Sequence, residues 1–462
     1  MSTKGKQSSQ AGDGANGPNY RIPANSPWAG AWKIAAAIGV VGLAIAAYGW
    51  ATDKDRFPFS YLFGYFVSLS LALGALFFVL VLYITKASWG ISVRRVAELL
   101  MRPIGQVFPL LVIPLVLTMP QLFPWMGAKH AVQETTSEQR HGTTEKKASP
   151  LDEARGLASR EPAALRDLPV ASATRMDKAE EAHEQKIVDH KRAWMNKGFV
   201  IGRLIAYLLI WWWLSDRYFV WSSEQDKTKA FENTVAAQRF SPAALMLFAV
   251  TLTFFAFDWL LSLNATWYST IFGVYIFAQT SLFLMASLIL ITLVLRKSGL
   301  LGDAVNVEHY HDMGKLLFGW IVFWSYIAFA QFFLIWYSNI PEETAWFHQR
   351  WSDNGGTWKV TSLALVVMHF FVPFWFLLSR NTKRRLSLLA AGAVCMVVMH
   401  IVEVYWVVMP NFGPLQPNIV DLGCLLGVLG VYLSAVFYGM RDVALVPVGD
   451  PRLLRALDFE NA

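Results

Sequence analysis

The apolar segment VVMHIVEVYWVVMP (residues 397–410) carries two ionisable residues, His400 and Glu403. Residues three positions apart lie on the same face of a helix, so the imidazole and the carboxyl group would be neighbours. A histidine changes charge near neutral pH, and burial moves the titration of a glutamate towards the same range. The spacing therefore predicts a pair that can pass a proton between its members.

Two further polar residues interrupt apolar runs at a comparable depth. With a rise of about 1.5 Å per residue, Asp258, Gln331 and Glu403 each fall about 25 Å from the start of their runs and share one layer. An ionisable group in hydrocarbon costs on the order of 2.5–3.5 kcal/mol on insertion scales, so it usually faces the interior of a helix bundle. We expect this layer to form the outer end of a proton path, although Asp258 could also be solvated at the interface.

The start of the seventh apolar run carries the residues HYHDMGK, of which His311, Asp312 and Lys315 could collect protons. Tyr326 and His369 would lie nearer the middle of the membrane, with Gln279 of the sixth run nearby, and bridge this cluster to the outer layer. Each group has a structural alternative. A single intramembrane histidine is often a neutral hydrogen-bonding residue, and a lysine near a helix end reaches water along its apolar stem.

The composition places these residues in a membrane. The 462 residues are 55% hydrophobic and 16% charged, the mean hydropathy is +0.37, and 20 residues are tryptophan. The net charge of +7 is spread over short loops, which gives nucleic-acid binding no support. Cys395 and Cys424 lie in apolar runs and no CxxC motif occurs, so covalent haem, iron–sulfur clusters and zinc fingers are not expected.

Ten apolar runs are long enough to cross a bilayer, and they predict an all-α polytopic membrane protein. The runs are 29–50, 59–84, 103–124, 199–221, 241–263, 270–295, 314–338, 358–380, 386–410 and 418–440. They divide the chain into a polar tail (1–28), three spans (29–126), a polar insert (127–197), seven spans (198–440) and a second tail (441–462). Lysine and arginine concentrate in the loops after the even-numbered spans, which predicts that both termini are cytoplasmic and that the insert is external.

Three stretches resemble a known family: RFPFSYLFGYFVSLSLALGALFFVLVLYITKASWGISVRRVAE (56–98), HDMGKLLFGWIVFWSYIAFAQFFLIWYSNIPEET (311–344) and MHIVEVYWVVMPNFGP (399–414). The chain resembles the NrfD/PsrC-like membrane subunits of quinone-linked oxidoreductases, and more closely the ActF family of bacterial alternative complex III. That complex oxidises quinol and reduces a cytochrome c or an oxidase.

The resemblance implies a subunit of the bacterial inner membrane with two four-helix bundles and extra spans. It implies no covalently bound cofactor, with quinone or menaquinone as the small-molecule ligand to consider. The implied partners are a paralogous NrfD-like membrane subunit, multihaem cytochrome c and iron–sulfur subunits, and a terminal oxidase. In this setting the chain would support quinol oxidation and translocate protons, with His311 and Lys315 collecting them and the outer layer releasing them.

Four alternatives remain open from the sequence. The chain could hold its own quinone pocket, lined by aromatic residues around Asp258 and His369. It could bind haem b through His369 and His400, although their estimated depths differ by several ångströms. It could be a structural anchor, or a stand-alone secondary transporter with inverted repeats and helices broken at the midplane.

Overall fold

The computed structural model describes residues 20–126 and 186–460, and within these ranges it contains helices and no strand. Nine of the described helices are long and apolar enough to cross a membrane, and the bent pair Ile91–Ile104 and Phe108–Leu117 makes a tenth if it counts as one span. The predicted all-α polytopic membrane fold is therefore confirmed. The first 19 residues of the predicted tail, residues 127–185 of the predicted insert and residues 461–462 lie outside the described residues.

The long helices follow one another along the chain and are labelled α1 to α10. They are α1 (Ala31–Thr52), α2 (Phe57–Ile84), α3 (Ile91–Met101), α4 (Lys197–Thr228), α5 (Phe231–Trp259), α6 (Phe272–Lys297), α7 (Val307–Ser338), α8 (Lys359–Leu378), α9 (Leu386–Val408) and α10 (Ile419–Gly439). A short helix, Pro341–His348, lies between α7 and α8.

The third predicted span differs from the structure in its start and its shape. The helix begins at Ile91 rather than near residue 103, and then continues as short pieces after a bend of 42°. Pro109, Pro114 and Pro120 each stand in the first turn of one of these pieces. Because proline lacks the backbone N–H and clashes with the preceding turn, each one ends the helix before it and starts a new one.

Both described ends of the chain lie at one end of the bundle, which we call the proximal end. The backbone N–H of Leu445 donates to the carbonyl of Tyr20 at 2.9 Å. The opposite end, which holds the loops after α1, α5, α7 and α9, is the distal end. Assigning the proximal end to the cytoplasm stays a prediction from the loop charges.

The helices pack as two groups of four. The first group is α2 to α5 and the second is α6 to α9, and α2 lies at the centre because it contacts α3, α5, α6, α9 and α10. The pair α1 and α10 packs on α2, with their backbones in contact. A Cβ atom at Gly42 would lie 2.2 Å from the backbone nitrogen of Gly427, so only glycine fits there.

The helix α8 is not regular throughout. Its middle third, Leu365–Phe371, is a π-helix, and His369 lies within it. Pro373 follows four residues later and cannot donate a hydrogen bond to the carbonyl of residue 369, which favours a wider turn at this point. Single π-helical turns often occur at functional sites.

Candidate functional site

The carboxyl group of Glu403 lies where α6, α7, α8 and α9 meet, and its side chain is fully buried. Oε1 accepts a hydrogen bond of 2.5 Å from the indole Nε1 of Trp324 on α7. Oε2 lies 3.8 Å from Nδ1 of His369 on α8. The hydroxyl of Tyr275 on α6 also interacts with this carboxyl group. Three helices thus contribute a polar or titratable group to Glu403.

His369 is held flat against Trp324. The two rings stack with centroids 4.0 Å apart and an angle of 6° between their planes. Both ring nitrogens are buried, and neither has a hydrogen-bond partner among the described residues. The 3.8 Å gap to Glu403 is too long for a direct hydrogen bond but suits a single bridging water molecule.

His400 lies one turn before Glu403 on the buried face of α9, as the spacing predicts. Its Nε2 is 2.9 Å from the hydroxyl oxygen of Ser70 on α2, and its ring stacks on Phe283 of α6 with centroids 4.1 Å apart. Its Nδ1 makes no hydrogen bond to any described residue. The contact with Ser70 orients the ring and leaves Nδ1 as the ring nitrogen available to a further donor or acceptor.

Helix α6 places three side chains against α9 on successive turns. Tyr275 interacts with Glu403, Phe283 stacks on His400, and Gln279 lies between them with both amide atoms buried and without a partner among the described residues. Buried polar atoms in native proteins are nearly always hydrogen-bonded, and in such positions internal water completes the bonds. We call the following set the Glu403 cluster: Ser70, Tyr275, Gln279, Trp324, His369, His400 and Glu403.

Gln331 lies on the same buried face of α7 as Trp324, two turns closer to the distal end. Its Oε1 accepts a hydrogen bond of 3.3 Å from Ser269, in the loop that precedes α6. The outer layer predicted from the sequence is therefore partly assembled, since Gln331 extends the polar groups from the Glu403 cluster towards the distal loops.

Tyr326 does not occupy the bridging position predicted for it. Its side chain is 66% exposed on the outside of the bundle. Tyr326 follows Trp324 by two residues, which turns it by about 200° around the helix axis, away from the cluster that Trp324 faces. The estimate from depth alone was wrong because depth does not fix the direction of a side chain.

The predicted proton-collecting cluster lies at the proximal end and is separated from Glu403. His311 and Asp312 are buried, and Asp312 forms an ion pair with Lys315, whose side chain is about half exposed. Between Asp312 and Trp324, about 18 Å along the helix, the buried face of α7 is lined by Met313, Gly314, Leu317 and Ile321. The continuous ladder expected from the sequence is thus interrupted by an apolar layer.

Asp258 forms a separate site. Arg203 of α4 binds its carboxylate through two bonds of 2.7 and 2.8 Å, Tyr207 donates at 2.8 Å, and Trp194 donates at 3.1 Å. The guanidinium group stacks on the ring of Trp194 at 4.0 Å. Asp258 is therefore a buried ion-pair partner that joins α4 to α5, rather than a solvated interfacial residue or a member of the Glu403 cluster.

A cavity of about 260 Å³ adjoins Asp258 at the distal end. Its lining includes three tryptophans, Trp125, Trp194 and Trp267, together with Arg203. The Nη1 atom of Arg203 is buried and makes no hydrogen bond to any described residue. His369, which was predicted to share a quinone pocket with Asp258, does not line this cavity.

A third buried polar group lies at the proximal end, and we call it the proximal ionic cluster. Arg94 binds Glu98 at 2.9 Å and Asp450 at 2.8 Å, while Arg95 binds Glu98 at 2.9 Å. Burial alone would raise the pKa of Asp450, but the charge of Arg94 and the hydrogen bonds from Arg452 hold it at about 2. These ion pairs fasten the chain after α10 to α3, in a region that the sequence suggested was a loop.

Three members of the Glu403 cluster were not predicted: Trp324, Tyr275 and Ser70. The positions of Tyr275 and Gln279, four residues apart in an apolar run, were a usable signal for a polar face on α6. Nothing in the sequence distinguishes Trp324 from the other 19 tryptophans. The missed partners Arg203 and Tyr207, also four residues apart, had the same kind of signal on α4.

Within the described ranges, no group of three or more histidine, cysteine, aspartate or glutamate side chains could hold a metal ion. Haem ligation by His369 and His400 stays the less favoured alternative, since Ser70 occupies Nε2 of His400. Comparison with family models and with curated proteins gives no match for this chain. The relation to the NrfD/PsrC-like subunits therefore stays a prediction from the sequence.

Proposed function

We propose that the chain is an integral membrane subunit of a quinol-oxidising respiratory complex, in which Glu403 holds an exchangeable proton. The environment of Glu403 supports this most directly. It is a fully buried carboxyl group whose described neighbours are an indole N–H, a phenol and an imidazole, with no ion pair to lysine or arginine. Burial without a bound cation favours the protonated form of such a carboxyl group, and its polar neighbours accept the proton when it leaves, whereas a carboxylate in an ion pair stays ionised.

The neighbouring groups supply the steps of transfer. The proton leaves a Glu403 oxygen for Nδ1 of His369 through one bridging water, and His400, one turn away on α9, extends the relay towards Ser70. Tyr275 and Gln331 continue the polar groups towards the distal loops. Exchange with the distal side follows these polar groups, while exchange with the proximal side requires water to enter the apolar layer around Leu317 and Ile321.

The replacement Glu403→Gln in the purified complex tests this proposal. Glutamine has nearly the same shape and can accept the Trp324 hydrogen bond, but it cannot carry the proton. We expect proton release per electron to fall at least fivefold, with the assembled complex and its unfolding temperature unchanged. A matched control is Glu342→Gln, which alters an exposed glutamate at the distal end.

Two results would contradict the proposal. One is a Glu403→Gln complex with normal turnover and normal proton release. The other is a Glu342→Gln complex that loses proton release to the same extent, because the effect would then follow surface charge at the distal end. Turnover and proton release are measured on the same reconstituted vesicles, so that a loss of assembly is recognised separately.

Membership in alternative complex III is the part of this proposal that the resemblance supports. Affinity purification of the tagged chain from its native membrane, followed by a visible spectrum, tests it. We expect haem and iron–sulfur signals in the purified complex, and their loss when detergent strips the chain from its partners. A chain that purifies alone and colourless under mild conditions would contradict this assignment.

A second candidate function is binding of quinol by the chain itself. The supporting observation is the cavity beside Asp258, which is lined by tryptophans and by Arg203, whose buried Nη1 has no described partner. A carboxylate and an N–H donor suit the hydroxyl and carbonyl oxygens of a quinone ring, and the aromatic rings suit its face. A photoreactive quinone should label Trp194 or Trp267 and be displaced by excess quinone. Labelling confined to a partner subunit would contradict this function.

A further inference from the structure

Arg350 is a buried arginine at the distal end, two residues after the helix Pro341–His348. Its side chain is 1% exposed, and its guanidinium lies 3.5 Å from the ring centre of Trp346 and 5.1 Å from that of Trp406. It donates to the carbonyls of Trp346 (2.9 Å), Val407 (2.8 Å) and Trp406 (3.2 Å), and to the amide oxygen of Gln349 (3.1 Å). Every one of these acceptors is uncharged.

The other three buried arginines of the described chain are neutralised by carboxylates. Arg56 pairs with Asp421, and Arg94 and Arg95 pair with Glu98 and other acids. Arg350 forms no ion pair with any carboxylate in the described ranges. A buried charge without a counter-charge is costly, so a nearby group of opposite sign is expected.

Burial lowers the pKa of the Arg350 guanidinium from its ordinary value. The guanidinium nevertheless stays protonated near neutral pH. Its ordinary pKa is far above neutrality, and four hydrogen-bond acceptors and two indole faces stabilise the cation. Arg350 is therefore a fixed positive charge at this place in the fold.

Arg350 contacts helix α9, and Glu403 is the buried carboxyl group on that helix. The accepting carbonyls of Trp406 and Val407 lie three and four residues after Glu403, which is one turn of α9 or about 5 Å along its axis. Tyr275 links the two groups, since its hydroxyl interacts with Glu403 and experiences the charge of Arg350. Within the described ranges, neither Glu403 nor Arg350 has a direct partner of opposite charge.

The other groups around Glu403 do not replace this cation. Helix α8 contributes His369, α7 contributes the neutral Trp324, and α9 itself contributes His400. Helix α2 contributes Ser70, which bonds to His400, while its tyrosines Tyr61 and Tyr65 bond to the carbonyls of Leu111 and Phe108. Both histidines are fully buried, so neither is a permanent charge.

We propose that Arg350 is the counter-charge that allows Glu403 to release its proton. This inference rests on the proposed function and adds the residue that sets the proton affinity of its central group. When the proton leaves for the bridging water and His369, the resulting carboxylate belongs to the helical turn that precedes the carbonyls bound by the cation of Arg350. In a medium of low dielectric constant that attraction extends across Tyr275 and favours the charged form. Arg350 keeps its own proton throughout. It acts on Glu403 through its positive charge and does not exchange a proton itself.

Infrared difference spectroscopy of the reconstituted full chain tests this inference. The protonated carboxyl band that disappears in Glu403→Gln belongs to Glu403, and its intensity is followed against pH. We expect Arg350→Gln to raise the pH at which half of Glu403 is protonated by at least one unit, which is a tenfold increase in proton affinity. Arg350→Lys keeps the charge and should stay within about half a unit of the unaltered protein.

Arg102→Gln is the matched control. Arg102 also stacks on an aromatic ring, Phe219, at 4.4 Å, but it lies at the proximal end. Its replacement should leave the Glu403 band unchanged, because the removed charge is far from α9 at the distal end. A shift equal to that of Arg350→Gln would overturn the inference, since any lost cation would then have the same effect.

The inference is also overturned if Arg350→Gln leaves the midpoint unchanged, or if Arg350→Lys shifts it as much as glutamine does. If Arg350→Gln fails to fold, Arg350→Met provides the measurement, because it keeps a long apolar stem and removes the charge. We expect a shift in the same direction and of similar size, and the absence of a shift overturns the inference. A Glu403 band that does not titrate in the unaltered protein contradicts the proposed function as well, whereas a normal titration that ignores Arg350 contradicts this inference alone.

Discussion

Asp258 and Glu403 are carboxyl groups of two membrane helices, buried to 2% and 0% exposure, yet their surroundings differ in kind. Asp258 receives two bonds from the permanent cation Arg203, with further bonds from a phenol and an indole. Glu403 receives one indole bond and faces an imidazole at 3.8 Å. A permanent cation at bonding distance neutralises a buried carboxylate in an ion pair, while neutral and titratable neighbours leave a carboxyl group without a bonded counter-charge.

The same comparison separates structural from functional charge elsewhere in the molecule. The proximal ionic cluster joins Arg94, Arg95, Glu98 and Asp450 in direct ion pairs, as Arg203 and Asp258 are joined. Around Glu403, both nitrogens of His369, the amide of Gln279 and Nδ1 of His400 have no partner among the described residues. Unpartnered atoms also occur among the described residues of the ionic clusters, on Arg94, Arg95, Glu98 and Arg203. The Glu403 cluster differs from these clusters because no lysine or arginine of the described chain bonds directly to its carboxyl group.

The largest expected effect that tests this contrast is the loss of stability in Asp258→Asn. The replacement leaves Arg203 buried without its counter-charge, which we expect to destabilise the protein by about 3 kcal/mol. Glu403→Gln should cost less than about 1 kcal/mol, because glutamine still accepts the Trp324 bond. Unfolding of the detergent-solubilised protein in a denaturant series measures both.

Asp216→Asn is the control for this prediction, since Asp216 is exposed on the same helix as Arg203 and its loss should change the stability little. If Glu403→Gln destabilises the protein as much as Asp258→Asn does, the two carboxyl groups have the same structural role. The distinction between a fixed and an exchangeable carboxyl group would then fail.

The second prediction concerns acid pH and the proximal ionic cluster. The pKa of Asp450 is about 2 in the folded chain against an ordinary 3.8, so its ion pairs stabilise the fold fully above about pH 4 and lose this effect as the pH falls to about 2. We expect Asp450→Asn to be less stable than the unaltered protein by about 2 kcal/mol at pH 7. The difference should close as the pH approaches 2.

Thermal unfolding at a series of pH values measures this difference directly. Asp458→Asn serves as the control, because Asp458 is exposed near the same end of the chain. A gap between Asp450→Asn and the unaltered protein that stays constant down to pH 2 would show that Asp450 acts through packing rather than through its charge.

Much of the fold could be predicted from the sequence because apolar runs of about 20 residues have one stable arrangement in lipid, the membrane-spanning helix. The exception is instructive. Arg94, Arg95 and Glu98 of α3 fall between the predicted runs 59–84 and 103–124, but they neutralise one another and Asp450 in the interior. Charge balance between distant segments is a tertiary property, and no local pattern contains it.

The candidate site was predicted less completely. The face that joins His400 to Glu403 follows from helical spacing, and it is buried as expected. Trp324 and His369 meet through the rotation of α7 and the π-helical turn of α8, which spacing along one helix does not give. For the same reason, the depth of Tyr326 in the membrane predicted a position near the proton path, although its side chain points outward.

The third prediction tests the indole bond that distinguishes Glu403 from Asp258. Trp324→Phe keeps a ring to stack on His369 but removes the N–H that donates to Oε1. Losing a hydrogen bond to a charged acceptor costs about 1.5 kcal/mol, so the pH of half-protonation of Glu403 should rise by about one unit. The infrared band of Glu403 measures this shift.

Trp259→Phe is the control for the indole bond. Trp259 is equally buried, and its Nε1 donates to no described residue, so its replacement tests ring size without a lost bond. An equal shift in both variants would attribute the effect to packing, and the indole would then not belong to the proton site.

The smallest effect is expected for Tyr326→Phe, and it decides whether the proton groups lie inside the bundle or along its outer surface. Tyr326 is 66% exposed and faces away from Trp324, whereas Glu403, His369 and His400 are fully buried. Turnover and proton release should therefore change less than twofold. A tenfold loss of proton release in Tyr326→Phe would place a required hydroxyl on the outer face of α7. The contrast between Glu403, which has no bonded cation in the described ranges, and Asp258, which forms an ion pair, would then no longer explain where protons move. The proton path would include neither carboxyl group.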